Sequence, residues 1–119
     1  MLSVSPALKI FLCIKPTDLR GGFDRLAQLV QQVLGKDPLS GHLFLFVNRR
    51  RDRIKMLYWA GDGYALWYRR LERGTFELPR TSLDAAGLEI TGSQLSLILD
   101  GIELSSVRRR RRFHLSAAV

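Results

Sequence analysis

The sequence predicts a small α+β domain. Its expected core is an antiparallel sheet, an N-terminal strand plus a three-stranded meander, with one amphipathic helix packed on it and a short C-terminal helix. Three observations predict this class. Apolar residues recur at steps of three and four between Phe23 and Leu34. Three apolar runs of strand length follow between Leu43 and Leu71, divided by turn residues. A helix-start signature stands at Thr91–Leu95. At 119 residues and 46% hydrophobic content the chain suffices for one core. Residues 1–107 are therefore assigned to a single α+β domain and residues 108–119 to an Arg-rich flexible tail.

Each element has its own signal. Leu8–Ile14 is β-rich and bounded by Pro6 and Pro16, which predicts a strand. Pro16–Gly22 predicts a loop. Phe23, Leu26, Ala27, Val30, Val33 and Leu34 form one helical stripe, stopped by Gly35 and Pro38. Leu43–Val47, Arg53–Trp59 and Tyr64–Leu71 are the meander. Asn48–Asp52 makes the first turn, and Asp62-Gly63 is a hairpin signal for the second. Thr75–Leu78 predicts a short extended piece and residues 80–89 a loop. Thr91 and Gln94 have capping-box spacing, with Ile90 and Leu95 as a hydrophobic staple. Leu95, Ile98, Leu99 and Ile102 continue that helix to Gly101 and its vicinity.

The turns also predict register. A four-residue loop Arg49–Asp52 sets Val47 opposite Ile54 and Phe46 opposite Lys55. A two-residue loop Asp62-Gly63 sets Trp59 opposite Leu66 and Leu57 opposite Tyr68. Alternation then sorts the side chains onto two faces. Leu43, Leu45, Val47, Ile54, Met56, Tyr58 and Trp67 form the expected core face, to be covered by the helix of residues 23–34. Phe44, Phe46, Lys55, Leu57, Trp59, Leu66, Tyr68 and Arg70 form the other. Two readings of that aromatic and cationic face stand side by side. It is a platform on which bases stack while Lys and Arg hold phosphates, or it is covered by the second helix or a partner. Phe44, Phe46, Trp59 and Tyr68 are its candidate partner-binding residues.

Charge is the unusual property. Nineteen Lys and Arg against eleven Asp and Glu give a net charge of +8, and only Lys9, Lys15, Lys36 and Lys55 are lysines. Guanidinium forks suit bidentate contact with phosphate. Three clusters carry the excess: Arg49, Arg50, Arg51 and Arg53, with Lys55 beside them; Arg69, Arg70 and Arg73; and the tail residues Arg108, Arg109, Arg110, Arg111 and Arg112. All are candidate nucleic-acid contacts. A solubilising role for charged turns and tails is the alternative.

Other classes find little support. One cysteine, Cys13, excludes an internal disulfide framework, and His42 and His114 are too few for a standard zinc site without carboxylates. No metal and no cofactor is expected. No apolar run approaches a membrane span or a signal peptide, so the expected location is cytoplasmic. Asp18, Asp24, Asp52 and Asp62 are metal ligands by residue type only. Gly21-Gly22 ahead of a helix is a weak phosphate-binding signal. No catalytic motif spacing is present, and the chain is expected not to be an enzyme.

Several blocks follow one family's pattern in order and spacing. They are Pro16-Thr17-Asp18-Leu19-Arg20-Gly21-Gly22-Phe23, Leu26–Val30, Asp37-Pro38-Leu39-Ser40-Gly41-His42-Leu43-Phe44, Phe46–Trp59 and Leu66–Phe76. Over roughly residues 9 to 104 the chain resembles the TnpB family. These are the accessory proteins, encoded by the second open reading frame, of bacterial insertion sequences of the sixty-six type. Leu19, Gly21 and Ala60 depart from its pattern, and Arg108–Arg112 lie past it. The resemblance implies a non-catalytic accessory of a bacterial transposable element, whose separate transposase carries the catalytic carboxylates. The expected partners are DNA at the element ends and the transposase or a sister accessory protein. The alternative is a protein-interaction module of the transposition complex without direct DNA binding.

Overall fold

A computed structural model of the chain describes residues 8–80 and 85–100. Its elements are β1 (Ile10–Cys13), α1 (Phe23–Gln32), β2 (Leu43–Val47), β3 (Arg53–Trp59), β4 (Tyr64–Arg70), β5 (Gly87–Ile90) and α2 (Gly92–Asp100). One five-stranded sheet runs β4-β3-β2-β1-β5. The α+β class is the expected one, and the sheet departs from expectation in strand direction and in strand number.

First, the sheet is mixed. β2, β3 and β4 form the antiparallel meander, but β1 pairs with β2 in parallel, Ile10 opposite Leu43 and Leu12 opposite Leu45. Parallel neighbours need a crossover, and α1 lies on it. Strands buried on both faces read as continuous apolar runs. Every residue of β1 and β2 is buried accordingly.

Second, the expected loop at 80–89 contains β5, antiparallel to β1 with Ile10 opposite Ile90 and Cys13 opposite Gly87. Four residues with a glycine and a glutamate carry little strand signal. Within them Ile90 is buried and Glu89 exposed, which is the period of a strand. At Gly87 a Cβ would lie 2.5 Å from Leu34 Cδ2. The missing side chain lets the segment after α1 close over this edge.

Alternation divides the faces as expected, but α1 lies on the opposite one. Its Leu26, Ala27 and Val30 join Phe11, Phe44, Phe46 and Leu57 in one core. Ile98 of α2 and Phe76 join Ile10, Leu12, Leu43, Leu45, Val47 and Ile54 in the other. A crossover between parallel strands has one favoured hand. The side taken by α1 therefore follows from strand order, not from the chemistry of either face. The consequence for Phe44 and Phe46 is a correction: both rings are fully buried beneath α1 and offer no surface to a partner. Each such ring contributes about 1.5–3 kcal/mol by leaving water.

The terminal signals act as read. Lys36 N–H donates back to the Val30 carbonyl (3.0 Å) around Gly35, whose φ is +63°. At α2, Gln94 N–H donates to Thr91 Oγ1 (3.1 Å) and Thr91 N–H to Gln94 Oε1 (2.9 Å), a reciprocal capping box. Gly101, Ile102 and the Arg108–Arg112 run lie outside the described residues.

Candidate nucleic-acid interface

The first hairpin tip is built by one side chain. Asn48 Oδ1 accepts from the N–H groups of Asp52 (3.1 Å) and Arg53 (3.0 Å), and its Nδ2 donates to Asp52 Oδ1 (2.7 Å). Its backbone bonds the same turn, with Asn48 N–H donating to the Arg53 carbonyl (3.2 Å) and Arg51 N–H to the Asn48 carbonyl (3.0 Å). Val47 stands opposite Ile54 and Phe46 opposite Lys55, the expected register. Arg51 adopts a left-handed conformation, φ +59°, which costs a non-glycine residue about 1–2 kcal/mol. Bonds from outside the turn hold it there: Phe76 N–H donates to the Arg51 carbonyl (2.6 Å) and Leu71 N–H to that of Asp52 (2.7 Å). The tip is therefore a braced corner.

The second hairpin is shifted by two residues from expectation. Its loop residues are Gly61 and Asp62, because Ala60 N–H donates to the Gly63 carbonyl (2.8 Å) and Gly61 takes φ +101°. Trp59 consequently faces Tyr64, Leu57 faces Leu66, Lys55 faces Tyr68 and Arg53 faces Arg70. An even shift preserves the faces.

The loop after β1 forms a second wall. Thr17 N–H donates to the Val47 carbonyl (2.9 Å), and Leu19 is buried in the α1-side core. Lys55 Nζ donates to the carbonyls of Leu19 and Gly21, and lies 5.2 Å from the Tyr68 ring centroid. Lys55, expected as a phosphate contact, is thus a strut tying this loop to the sheet. Arg20 leaves the loop toward solvent, gripping Asp18 with Nη2–Oδ2 at 2.7 Å and Nε–Oδ1 at 3.0 Å. That guanidinium holds the Asp18 carboxyl down at about 2, although so exposed a pair adds little to stability.

Between tip and loop lies an open groove of about 750 Å³. Arg20, Arg49, Arg50, Arg53 and Lys55 line it, with Tyr68 and the carboxylates of Asp18 and Asp52. Both carboxylates are engaged, Asp18 by Arg20 and Asp52 by Asn48. Arg49, Arg50, Arg51 and Arg53 are exposed, with no carboxylate partner among the described residues. Of the four, Arg51 stands outside the groove lining.

Strand alternation sets Arg69 and Arg70 of the second predicted cluster on opposite faces of β4, yet both, with Arg73, line one shallow recess beside Leu99 and Asp100. Arg69 points to the α2 side, with its guanidinium 5.0 Å from the Trp67 centroid and Nη1 donating to the Leu99 carbonyl (3.1 Å). A cation near the end of α2 complements the helix dipole. Arg70 stands opposite Arg53, outside the groove lining, and is paired with Glu72 at 2.9 Å. Arg73 is exposed. Among the candidate partner residues, Tyr68 alone lines the groove, and the residue is 47% exposed. Trp59 packs edge-on against Tyr64, with centroids 5.1 Å apart. Sequence reasoning missed Arg20 and Asn48. Asn48 sat within the charged turn, where an Asn able to bond its own backbone is a usable signal.

Fold and groove define a small α+β protein whose distinctive surface is an arginine-lined cleft. Among the described residues no helix is long and apolar enough to cross a membrane, and no three His, Cys, Asp or Glu side chains cluster to hold a metal. The family model for IS66 Orf2-like proteins matches residues 8–109, and the chain belongs to that family, a transposition accessory family. It is similar to two proteins of Sinorhizobium fredii. Identity to uncharacterized protein y4hO is 37% over 103 residues, covering 87% of this chain and 88% of that one. Identity to uncharacterized protein y4jC is 34% over 110 residues, covering 92% of each. No solved structure matches the chain.

Proposed function

We propose that the protein assists transposition by binding DNA at the element ends through the arginine-lined groove. One observation carries the reading: Arg20 of the loop after β1, Arg49 and Arg50 of the hairpin tip and Arg53 at the start of β3 line a single open cleft. Guanidinium groups spaced along a cleft suit the phosphates of a polynucleotide. Arg70 extends the same face, and Arg73 and the Arg108–Arg112 tail add further phosphate contacts. Lys55 acts behind them by holding the groove wall.

A gel-shift titration over roughly 50–200 mM salt tests this reading. Changing Arg49, Arg50, Arg51 and Arg53 together to Ala is expected to flatten the log-log salt dependence by about two to three, since three of the four line the groove. Equal affinity and equal slope for the variant and wild type would refute the assignment. A second reading, docking onto transposase without DNA, draws on Phe23 and Leu39, which are 46% and 52% exposed beside recesses lined by Tyr64. Co-purification with transposase from nuclease-treated, high-salt lysate distinguishes it, because DNA bridging is lost there.

A further inference from the structure

We propose that the groove takes unpaired DNA, with a base stacked on Tyr68 and the adjoining phosphates held by Arg49, Arg50 and Arg53. The inference rests on the DNA-binding reading above and names the form of DNA bound. Tyr68 is 47% exposed, yet it lines a cleft whose other charged walls are mainly arginine. Aromatic rings in cationic grooves are how single strands are bound without sequence preference. Every base has a π-face, and stacking adds to phosphate contact. The ring is also set in place. Lys55 lies over it at 5.2 Å and is itself fixed by the Leu19 and Gly21 carbonyls. Such preorganisation lowers the ordering cost of binding.

Geometry argues against the duplex. A groove of about 750 Å³ has the size of a small-ligand cleft, suited to one or two nucleotides. The tip is no better placed to read a duplex from outside. A major groove about 12 Å wide admits a two-stranded ribbon. Here Leu71 and Phe76 bond to the Asp52 and Arg51 carbonyls, so a third chain segment lies against the ribbon. An extruded or single-stranded base meets neither obstacle.

The test is fluorescence anisotropy of the full chain with a labelled oligothymidylate of about 10 nucleotides, compared with the same strand annealed to its complement. The single strand is expected to bind more tightly than the duplex. Tyr68→Phe should stay within about two-fold of wild type, because the ring remains. Tyr68→Leu should weaken single-strand binding roughly 5- to 150-fold. A duplex bound as tightly as the single strand, or wild-type single-strand affinity in Tyr68→Leu, overturns the inference and leaves the DNA-binding reading standing. No binding of either form at about 50 mM salt overturns both. Photocrosslinking of wild type to a bromodeoxyuridine-substituted strand needs no variant. A crosslink at Tyr68 supports the proposal, and crosslinks confined to other segments overturn it.

Discussion

Replacing Asn48 by Ala removes the clamp that shapes the arginine tip. Three side-chain hydrogen bonds of 2.7–3.1 Å are lost, two of them to backbone N–H groups of Asp52 and Arg53. A net hydrogen bond contributes about 0.5–1.5 kcal/mol. Water reaches this half-buried site and recovers part of the loss. The left-handed Arg51 then keeps its conformational cost with less to hold it. The sum is a destabilisation of about 1–2 kcal/mol, or a melting temperature lower by roughly 4–8 °C for a domain of this size. Urea unfolding with thermal melting measures it. Asn48→Asp adds a pH signature. It places a second carboxylate against Asp52 Oδ1 in place of an amide donor 2.7 Å away. Two carboxyls so close share a proton, which raises one folded-state value above its unfolded one. At that pair the native state then binds more protons than the unfolded state, so stability relative to wild type is highest in acid and falls as pH rises to neutrality. Wild type, with an amide there, lacks this contribution. An Asn48→Ala variant that melts within about 1 °C of wild type refutes the clamp. So does an Asn48→Asp variant whose stability relative to wild type is the same at both ends of that range.

Two further predictions concern the groove wall and α2. Lys55→Met should cost about 1.5–3 kcal/mol, the range for charged hydrogen bonds, and speed amide hydrogen exchange in residues 17–22. Unchanged exchange there would show that the loop is held by other contacts. Thr91→Ala should cost about 0.5–2 kcal/mol by removing the cap of α2, read by urea unfolding. It should leave DNA affinity unchanged, because Thr91 lies outside the groove.

The candidate site was only partly legible in the sequence. The arginines of the tip stood together in the chain and were found as a cluster. Arg20 is separated from them by the whole of α1 and β2, and it reaches the groove because Thr17 bonds the end of β2. Lys55 shares the alternation of Arg53, and nothing local distinguishes a solvent-facing lysine from one turned onto two carbonyls. Arg69 and Arg70 are neighbours in sequence but sit on opposite faces, as any two adjacent strand residues do.

What the sequence determined by itself was local. Periodicity located β2 and β3 at their observed bounds. The spacing of Thr91 and Gln94 specified the α2 cap, and alternation divided the side chains into two faces. These properties depend on neighbours along the chain, which the sequence contains directly. The tertiary structure decided the long-range choices: β1 parallel to β2, β5 on the far edge, and α1 over Phe44 and Phe46. A helix stripe states that one face must be buried, not against which surface, and a short edge strand forms only where a partner offers unpaired backbone. Those choices buried two of the four proposed docking aromatics and left Tyr68 beside the arginines.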